Sequence, residues 1–279
     1  MKKNDPVKNV IVVSDTHCGC QLGLCPETVK LDGGGNYHAS SLQLKVLAWW
    51  NEFWNVWVPM VTHGEPYIIV VNGDAMDGNH HDAVTQITHN LTDQQRIAEQ
   101  ILKPVIEKAV KYYHIRGTEA HVGKSGQNEE ALARALGAVP DESGNCARWD
   151  LWLNLAGRRI HFTHHIGTTS SASYESTAVH KELVEAYVEA GRWGYEPPDI
   201  VVRSHRHRGY KIEIATKNGL GIAIITPGWQ LKTPFVYKLL SGRSGTPQIG
   251  GILIRLGDED GLYTRTFTKE LSRPKEEII

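Results

Sequence analysis

The sequence predicts an α/β protein built around a parallel β-sheet. Three apolar runs of strand length, residues 9–13, 67–72 and 112–116, are separated by segments whose apolar residues have helical spacing. This strand, helix, strand, helix, strand order implies right-handed crossovers and parallel strands, whose ligand sites lie at their carboxyl ends. With 279 residues, 41% of them hydrophobic, the chain can bury a large core as a single domain over residues 1–279.

Four helices are predicted from apolar spacing and capping residues. The first carries apolar residues on most of its surface, four of them tryptophans, so we expect it to be largely buried or to meet a partner. Pro104 is expected to kink the second. In chain order, the helices begin after Ser40 or Ser41, at Thr92-Asp93, at Ser125 and at Glu175, and they end before Pro59, at Val110, at Gly137 and at Gly191.

The second half of the chain reads mainly as strand. Residues 149–155 and 159–163 flank an Ala156-Gly157 turn and predict a hairpin. Further strands are predicted at 200–203, 210–215, 220–226, 252–256 and 262–268, with a turn at 217–219. A glycine-rich loop insertion at about 18–40 either covers a site or is a surface insertion, and a charged tail at about 269–279 is expected to fray.

Composition argues against several classes of protein. A net charge of -1 and a pI near 6.9 argue against a protein whose whole surface binds nucleic acid, although they do not exclude a local basic patch. Without a recognisable secretory signal or membrane-spanning run, we expect a cytoplasmic protein with no membrane partner. Cys18, Cys20, Cys25 and Cys146 are interpreted as free thiols, with zinc binding by the first three as the alternative.

Five predicted strands end in carboxylate or imidazole side chains. Because the carboxyl ends of parallel strands meet at one edge of a sheet, one shared site is a better explanation than five unrelated polar turns. Asp15 and His17 at the first end are interpreted as metal ligands. The other ends carry Asp74 and Asp77, Glu119 and His121, His164 and His165, and His205 and His207.

In order and spacing, these motifs resemble those of the calcineurin-like metallophosphoesterases, and within them the phage and prophage members. The matching segments are Asp15-Thr-His17, Gly73-Asp74-Ala-Met-Asp77, His164 or His165 at a strand end, and Ser204-His205-Arg206-His207, in which serine replaces the usual glycine. The resemblance implies a four-layer α/β/β/α sandwich with two divalent metal ions at the strand ends. Manganese is the first choice, and iron, nickel and zinc suit the same ligands.

The resemblance also assigns roles to these residues. One carboxylate bridges the two ions, and imidazole and carboxylate ligands complete each site. The implied bridge is Asp74, the first site is completed by Asp15, His17 and His207, and the second by His205 with His164 or His165. Asp77 is expected to orient ligands and not to bind an ion.

The third motif departs from the family pattern, in which Gly-Asn-His ends the strand. Here Gly117-Thr-Glu-Ala-His121 has Thr118 at the asparagine position. We therefore expect Glu119 or water to supply an oxygen to the second ion, or Glu119 to orient His121. His121 is expected to protonate the leaving oxygen, and Arg206 to neutralise phosphoryl charge. Arg116, Arg203 and Arg208 are weaker candidates for that second role.

Two further patterns carry less weight. Residues 117–125 resemble a phosphate-binding P-loop, but the spacing between the glycines is one residue too long. Gly78-Asn79-His80 lies directly on the second motif, so Asn79 and His80 are interpreted as loop residues that assist the site.

The predicted function is metal-dependent phosphoric ester hydrolysis, of a phosphomonoester or phosphodiester, by attack of a metal-bridging hydroxide. Two alternatives stay open: a metal-dependent nuclease acting on DNA or RNA, and a non-catalytic phage protein that retains the fold. The expected partner is a phosphoester substrate, with a nucleotide or single-stranded nucleic acid included in that class. A homo-oligomer is also left open.

Overall fold

The computed structural model describes residues 7–80, 82–167, 174–217, 219–239, 246–257, 261–271 and 277. The strands are β1 (Asn9–Val13), β2 (Thr28–Lys30), β3 (Asn36–His38), β4 (Tyr67–Asn72), β5 (Lys111–Ile115), β6 (Ala147–Arg148), β7 (Leu151–Leu155), β8 (Arg158–Phe162), β9 (Ile200–Arg203), β10 (Tyr210–Thr216), β11 (Gly219–Ile225), β12 (Ile249–Leu256) and β13 (Leu262–Lys269). The α-helices are α1 (Ser41–Glu52), α2 (Val58–Thr62), α3 (Leu91–Ile106), α4 (Glu119–Val122), α5 (Gln127–Ala135), α6 (Glu175–Trp193) and α7 (Pro234–Leu239).

The strands form two large sheets, which confirms the α/β prediction. One sheet has the order β13-β12-β1-β4-β5-β6, and the other has the order β10-β11-β9-β8-β7. The predicted parallel pairing holds for β1 with β4 and β4 with β5. The predicted hairpin is also present, with β7 antiparallel to β8. In the second sheet, β8 and β9 are parallel, so their carboxyl ends point the same way.

Alternation along β1 explains how the sheets are covered. Ile11 and Val13 pack into a cluster that contains residues of α1, α3 and α5, whereas Val10 and Val12 pack against Phe162 and Val202 of the second sheet. A third cluster joins α6 to the second sheet through residues such as Val179, Leu183 and Val201. This packing supports the implied order of four layers, which stays a prediction.

Three predicted helix ends are wrong, and two of these helices extend further than predicted. The first helical segment does not stop before Pro59. After α1, a π-helical turn at Phe53–Trp57 leads directly into α2, and Pro59 lies in the first turn of α2. A proline is tolerated there because the first-turn amides need no helical acceptor. The helix at Glu175 continues through Gly191 to Trp193 and ends at Gly194, whose φ of 72° is the left-handed conformation that glycine favours.

The second helix also ends earlier than predicted. α3 ends at Ile106. The chain then turns toward the sheet, where the Val110 amide donates to the Tyr67 carbonyl at the start of β4 (3.0 Å). Pro104 therefore lies in its last turn. The predicted turn at 217–219 includes Asn218, which lies outside the described residues, as does most of the predicted tail.

The insertion at about 18–40 is packed against the body of the protein. It contains the antiparallel pair β2 and β3, and its Leu24, Cys25 and Val29 are fully buried. All four cysteines are free and buried, as the free-thiol interpretation expects. None of the described helices is long and apolar enough to cross a membrane.

Candidate metal centre

Polar side chains from the ends of β1, β4, β5, β8 and β9 converge in the structure. Within the described residues, three groups could each hold a metal ion, with ligand atoms within 4.8 Å of one another. The groups are Asp15 with His17 and His207, His17 with Asp77 and His121, and Asp74 with His164 and His205. The first and third contain the residues of the two ligand sets that the family resemblance implies, apart from the sharing of Asp74.

The first group contains a buried carboxylate oxygen without a hydrogen-bond partner within the described ranges. His207 Nε2 lies 3.2 Å from Asp15 Oδ1 and 3.2 Å from His17 Nε2. Asp15 is fully buried, and its Oδ1 makes no hydrogen bond in the described part of the chain, since the His207 contact meets the distance of an ion pair but not the geometry of a hydrogen bond. A buried acceptor without a donor is costly, and a cation placed among these atoms would remove that cost. The donor set of one carboxylate and two imidazoles fits a divalent transition metal.

The third group lies beside the first. Asp74 Oδ2 is 2.9 Å from His164 Nε2 and 3.9 Å from His205 Nδ1. Asp15 links the two groups, since its Oδ1 is 3.9 Å from His164 Nε2 and its Oδ2 is 3.4 Å from the His205 amide nitrogen. His164 is buried beside Asp74, whereas His165 is exposed, so burial favours His164 as the candidate ligand of the two.

Hydrogen bonds at Nδ1 fix the orientation of three imidazoles. His164 Nδ1 lies 2.6 Å from the Asn72 carbonyl, and His121 Nδ1 lies 2.6 Å from the Asp77 carbonyl. His17 Nδ1 lies 3.2 Å from the Asp77 carboxylate. In each ring the Nδ1–H donates to an oxygen, so Nε2 is the atom that would face an ion. Asp77 thus has the contacts expected of an orienting residue.

The ligands are held by strained backbone. Eight non-glycine residues in the described ranges have a positive φ, and five of them are candidate ligands, namely Asp15, His17, Asp74, His205 and His207. Residues other than glycine rarely adopt a positive φ. Those that do are concentrated at functional sites, where the surrounding structure enforces the conformation. At Gly117 a Cβ would overlap Asp74 Oδ1, so close approach of the β5 end to Asp74 requires a glycine there.

The charges of the carboxylates and of His164 are coupled. Burial raises the pKa of Asp15, but His207 and His164 outweigh it and lower the pKa to about 2. Burial also raises the pKa of Asp74, whereas His164 and His121 hold it well below its usual value. Burial lowers the pKa of His164, yet Asp74 and Asp15 raise it to about 10. His164 therefore carries a proton that an arriving cation would displace.

The third strand end places Thr118 beside Asp74. Thr118 donates to Asp74 through its amide (2.8 Å to Oδ1) and its hydroxyl (3.0 Å to Oδ2). Glu119 is the first residue of the short helix α4; it is exposed and belongs to none of the three groups. The helix starts here and turns the side chain outward. A ligand role for Glu119 stays a prediction without support from this geometry.

The four candidate arginines make other contacts. Arg206 donates through its guanidinium to the Gly167 carbonyl, and its role at the phosphoryl group stays a prediction. Arg203 pairs with Glu182 of α6 (2.8 Å), and Arg208 pairs with Glu175 (2.5 Å). Arg116 lies 3.6 Å from Glu130.

Sequence reasoning missed Glu129. Its fully buried carboxylate accepts from the Ala75 amide (2.8 Å) and the Gly117 amide (2.6 Å), so it ties the loop after β4 to the loop after β5. The available signal was an acid on the apolar side of α5, three and four residues before the buried Leu132 and Ala133. Among the loop residues, His80 lies beside the site, with its ring 4.4 Å from His121 and its Nε2 3.6 Å from Asp77, and an assisting role stays a prediction.

The two adjacent histidines allow a matched test. We expect His164→Ala to weaken metal binding by at least about 10-fold, since even loss of an outer partner of a ligand typically costs about 10–100-fold. His165→Ala removes the same side chain from an exposed position and should leave metal binding unchanged. Metal content after dialysis against a graded chelator series measures both variants, with thermal unfolding as the check on folding. Equal metal loss in both variants would contradict the choice of His164.

Comparison with known proteins gives fold likenesses only. No protein-family model and no curated protein matches the chain. Among solved structures, a conserved uncharacterized protein and predicted phosphoesterase from Streptococcus pneumoniae is 12% identical, with 94% of this chain and 98% of that chain covered and a TM-score of 0.36. Chaetomium thermophilum Vps29 is 8% identical, with 97% and 100% covered and a TM-score of 0.42. A hypothetical protein from Thermus thermophilus is 12% identical, with 94% and 99% covered and a TM-score of 0.42. At TM-scores this low, these likenesses support no conclusion about function.

Proposed function

We propose that this protein is a binuclear metal-dependent phosphoric ester hydrolase of the calcineurin-like type. The observation that carries the proposal is the convergence of buried carboxylates and oriented imidazoles in two adjacent groups, with Asp15 Oδ1 lacking a hydrogen-bond partner among the described residues. Ordinary polar turns do not require strained backbone at five such residues. The proposal extends to a phage-type, cytoplasmic protein, with manganese as the first metal to test.

The two groups provide a ligand set for each ion. Asp15, His17 and His207 would hold the first ion, His164 and His205 the second, and Asp74 would be shared. When bound, two divalent ions acidify a water molecule and neutralise charge on the phosphoryl group. His205 and His207 have side chains 29% and 18% exposed, whereas the carboxylates lie beneath them, so a phosphoester would approach from the imidazole side.

Surrounding residues hold the ligands in place. The Thr118 amide and hydroxyl donate to Asp74, which fixes the plane of its carboxylate. Asp77 accepts from Gln86 (3.1 Å) and Gln230 (3.3 Å), and those bonds restrict the carboxylate that orients His17. Preorganisation of this kind lets a site stabilise developing charge without rearranging.

His121 is the proposed proton donor to the leaving oxygen. Its Nδ1 is held on the Asp77 carbonyl, which leaves Nε2 available, and its ring lies 4.5 Å from that of His17. The residue also lines an open cleft of about 510 Å³ with His80 and Glu119. Burial lowers the pKa of His121 to about 4, so it is neutral in the free protein at pH 7. A negatively charged phosphoester beside it would raise that pKa and favour the protonated form.

Hydrolysis of nitrophenyl esters tests the proposed function. Protein reloaded separately with manganese, iron, nickel or zinc should release nitrophenol from 4-nitrophenyl phosphate or bis(4-nitrophenyl) phosphate. Asp15→Asn should suppress this release, because the first ion loses its only unshared carboxylate. Absence of metal-dependent release with every ion, in protein that remains folded, would overturn the proposal.

A small or single-stranded phosphodiester is the proposed substrate class, in preference to duplex DNA. The net charge of -1 gives little of the counterion-release affinity on which duplex binding depends. We therefore expect weak duplex binding with a shallow salt dependence. Titration of labelled duplex and single-stranded oligonucleotides at several salt concentrations measures this. A steep salt slope for the duplex would favour the nuclease alternative.

A further inference from the structure

A second cleft opens beside the proposed metal centre. It has a volume of about 430 Å³ and is lined by residues 116–120 at the end of β5, by Trp149, and by Thr163, His164 and His165. Because His164 belongs to the second ligand group, a phosphoester held at that group could extend its organic part into this cleft. The volume is within the range of small-molecule sites.

Trp149 forms one wall of this cleft and is 60% exposed. The guanidinium carbon of Arg116 lies 5.0 Å from the centroid of its ring, close enough for a cation–π contact. Arg116 is itself held, since its Nε donates to the Ala147 carbonyl (2.8 Å) and its Nη2 lies 3.6 Å from Glu130. The indole is therefore supported by a fixed side chain and does not hang free on the surface.

The backbone around Trp149 is also restrained. The Arg116 amide donates to the Arg148 carbonyl (2.7 Å), which pairs the chain just before Trp149 with the end of β5. β7 begins two residues later, at Leu151. An aromatic side chain whose supporting arginine and flanking backbone are already fixed loses little freedom when a ligand stacks on it, so binding incurs a small entropic cost.

Other exposed tryptophans lack this setting. Trp193 is 74% exposed at the end of α6, and its indole N–H donates to Glu189 (2.8 Å). Trp152 is 44% exposed, and its ring is stacked on His161 at 4.5 Å. Neither lines either of the two clefts described above. Trp149 is distinguished because it lines the same cleft as a candidate metal ligand, His164.

We propose that Trp149, supported by Arg116, is a stacking platform for the nucleobase of a nucleoside phosphoester. This inference rests on the proposed function and defines the substrate class more narrowly. A planar heterocycle matches the exposed indole, and base–aromatic stacking tolerates any base because each has a π-face. The phosphate would lie at His164, and the base would lie against Trp149.

Two diesters with the same leaving group test the platform. We compare the 4-nitrophenyl ester of thymidine 5′-monophosphate with methyl 4-nitrophenyl phosphate, which lacks only the nucleoside. Trp149→Ala should lower kcat/KM for the nucleoside ester by about 5- to 150-fold, the range expected for loss of one stacked base. Hydrolysis of the methyl ester should change little. Trp149→Phe should keep most of the preference, and Trp193→Ala, which removes a more exposed indole, should change neither substrate.

Equal losses on both esters would overturn the nucleobase assignment, because they would mean that the indole contacts the nitrophenyl group or supports the fold. No loss on either ester would also overturn it. If the wild-type protein hydrolyses neither ester, diesterase activity is excluded, the monoester test above decides the proposed function, and equilibrium binding of thymidine 5′-monophosphate to the metal-loaded protein then tests the platform. Weaker binding by Trp149→Ala than by wild type supports it, and equal binding contradicts it. Thermal unfolding of each variant shows whether the fold is kept.

Discussion

Asp74→Asn should abolish phosphoester hydrolysis and lower the metal content below two ions per chain. The substitution keeps the shape of a buried side chain that contacts His164 at 2.9 Å and accepts from Thr118, so the fold should survive. It removes the negative charge that both cations would share, and ions held close together repel each other without it. Metal analysis of the purified, reloaded variant together with its hydrolysis rate gives the result.

Asp77→Asn is the matched control for that variant. Asp77 is equally buried and belongs to the same loop, but it orients His17 and is not a proposed ligand of the two ions. Its loss should reduce activity or metal affinity by about 10–100-fold, the usual effect of an outer partner. Retention of both ions and full turnover by Asp74→Asn would contradict its role as the bridge. A larger effect from Asp77→Asn would exchange the roles assigned to the two carboxylates.

His121→Ala should slow hydrolysis of an alkyl phosphoester by about 10²–10⁴-fold, the usual contribution of a positioned proton donor. A nitrophenyl ester should be much less affected, because its leaving group departs without a proton. Rates on the two esters, measured with the same metal, therefore separate proton donation from other roles. The His121 ring contacts His17 and His80, so metal content of the variant must be measured in parallel. Equal losses on both esters, or loss of a metal ion, would identify His121 as a ligand or a structural residue.

Much of the site was predictable because it follows from strand geometry. Buried parallel strands bring their carboxyl ends to one edge, so Asp15, Asp74 and His205 could be expected to meet before any contact was known. The sequence also contained a signal that favours His164 over His165 as the candidate ligand. Ile160 and Phe162 are buried members of β8, and continuing their alternation past the strand end points His164, and not His165, to the same face.

Features that depend on contacts between distant segments were not predictable. Thr118 could be placed at the asparagine position, but its bonds to Asp74 arise only when the ends of β4 and β5 approach across Gly117. Glu129 looked like an ordinary helix residue because its partners, the amides of Ala75 and Gly117, belong to two other elements. The π-helical turn at Phe53–Trp57 likewise has no local signal apart from a proline that follows it.

The most direct test of the metal centre is a stepwise titration of chelator-stripped protein with manganese, in which bound ions and hydrolysis of bis(4-nitrophenyl) phosphate are measured at each step. The two ligand groups predict that binding reaches two ions per chain and that hydrolysis rises with the second ion. Binding of no ion or of one ion, without hydrolysis by folded protein under manganese, iron, nickel or zinc, would contradict a binuclear catalytic centre and would indicate a non-catalytic protein with this fold.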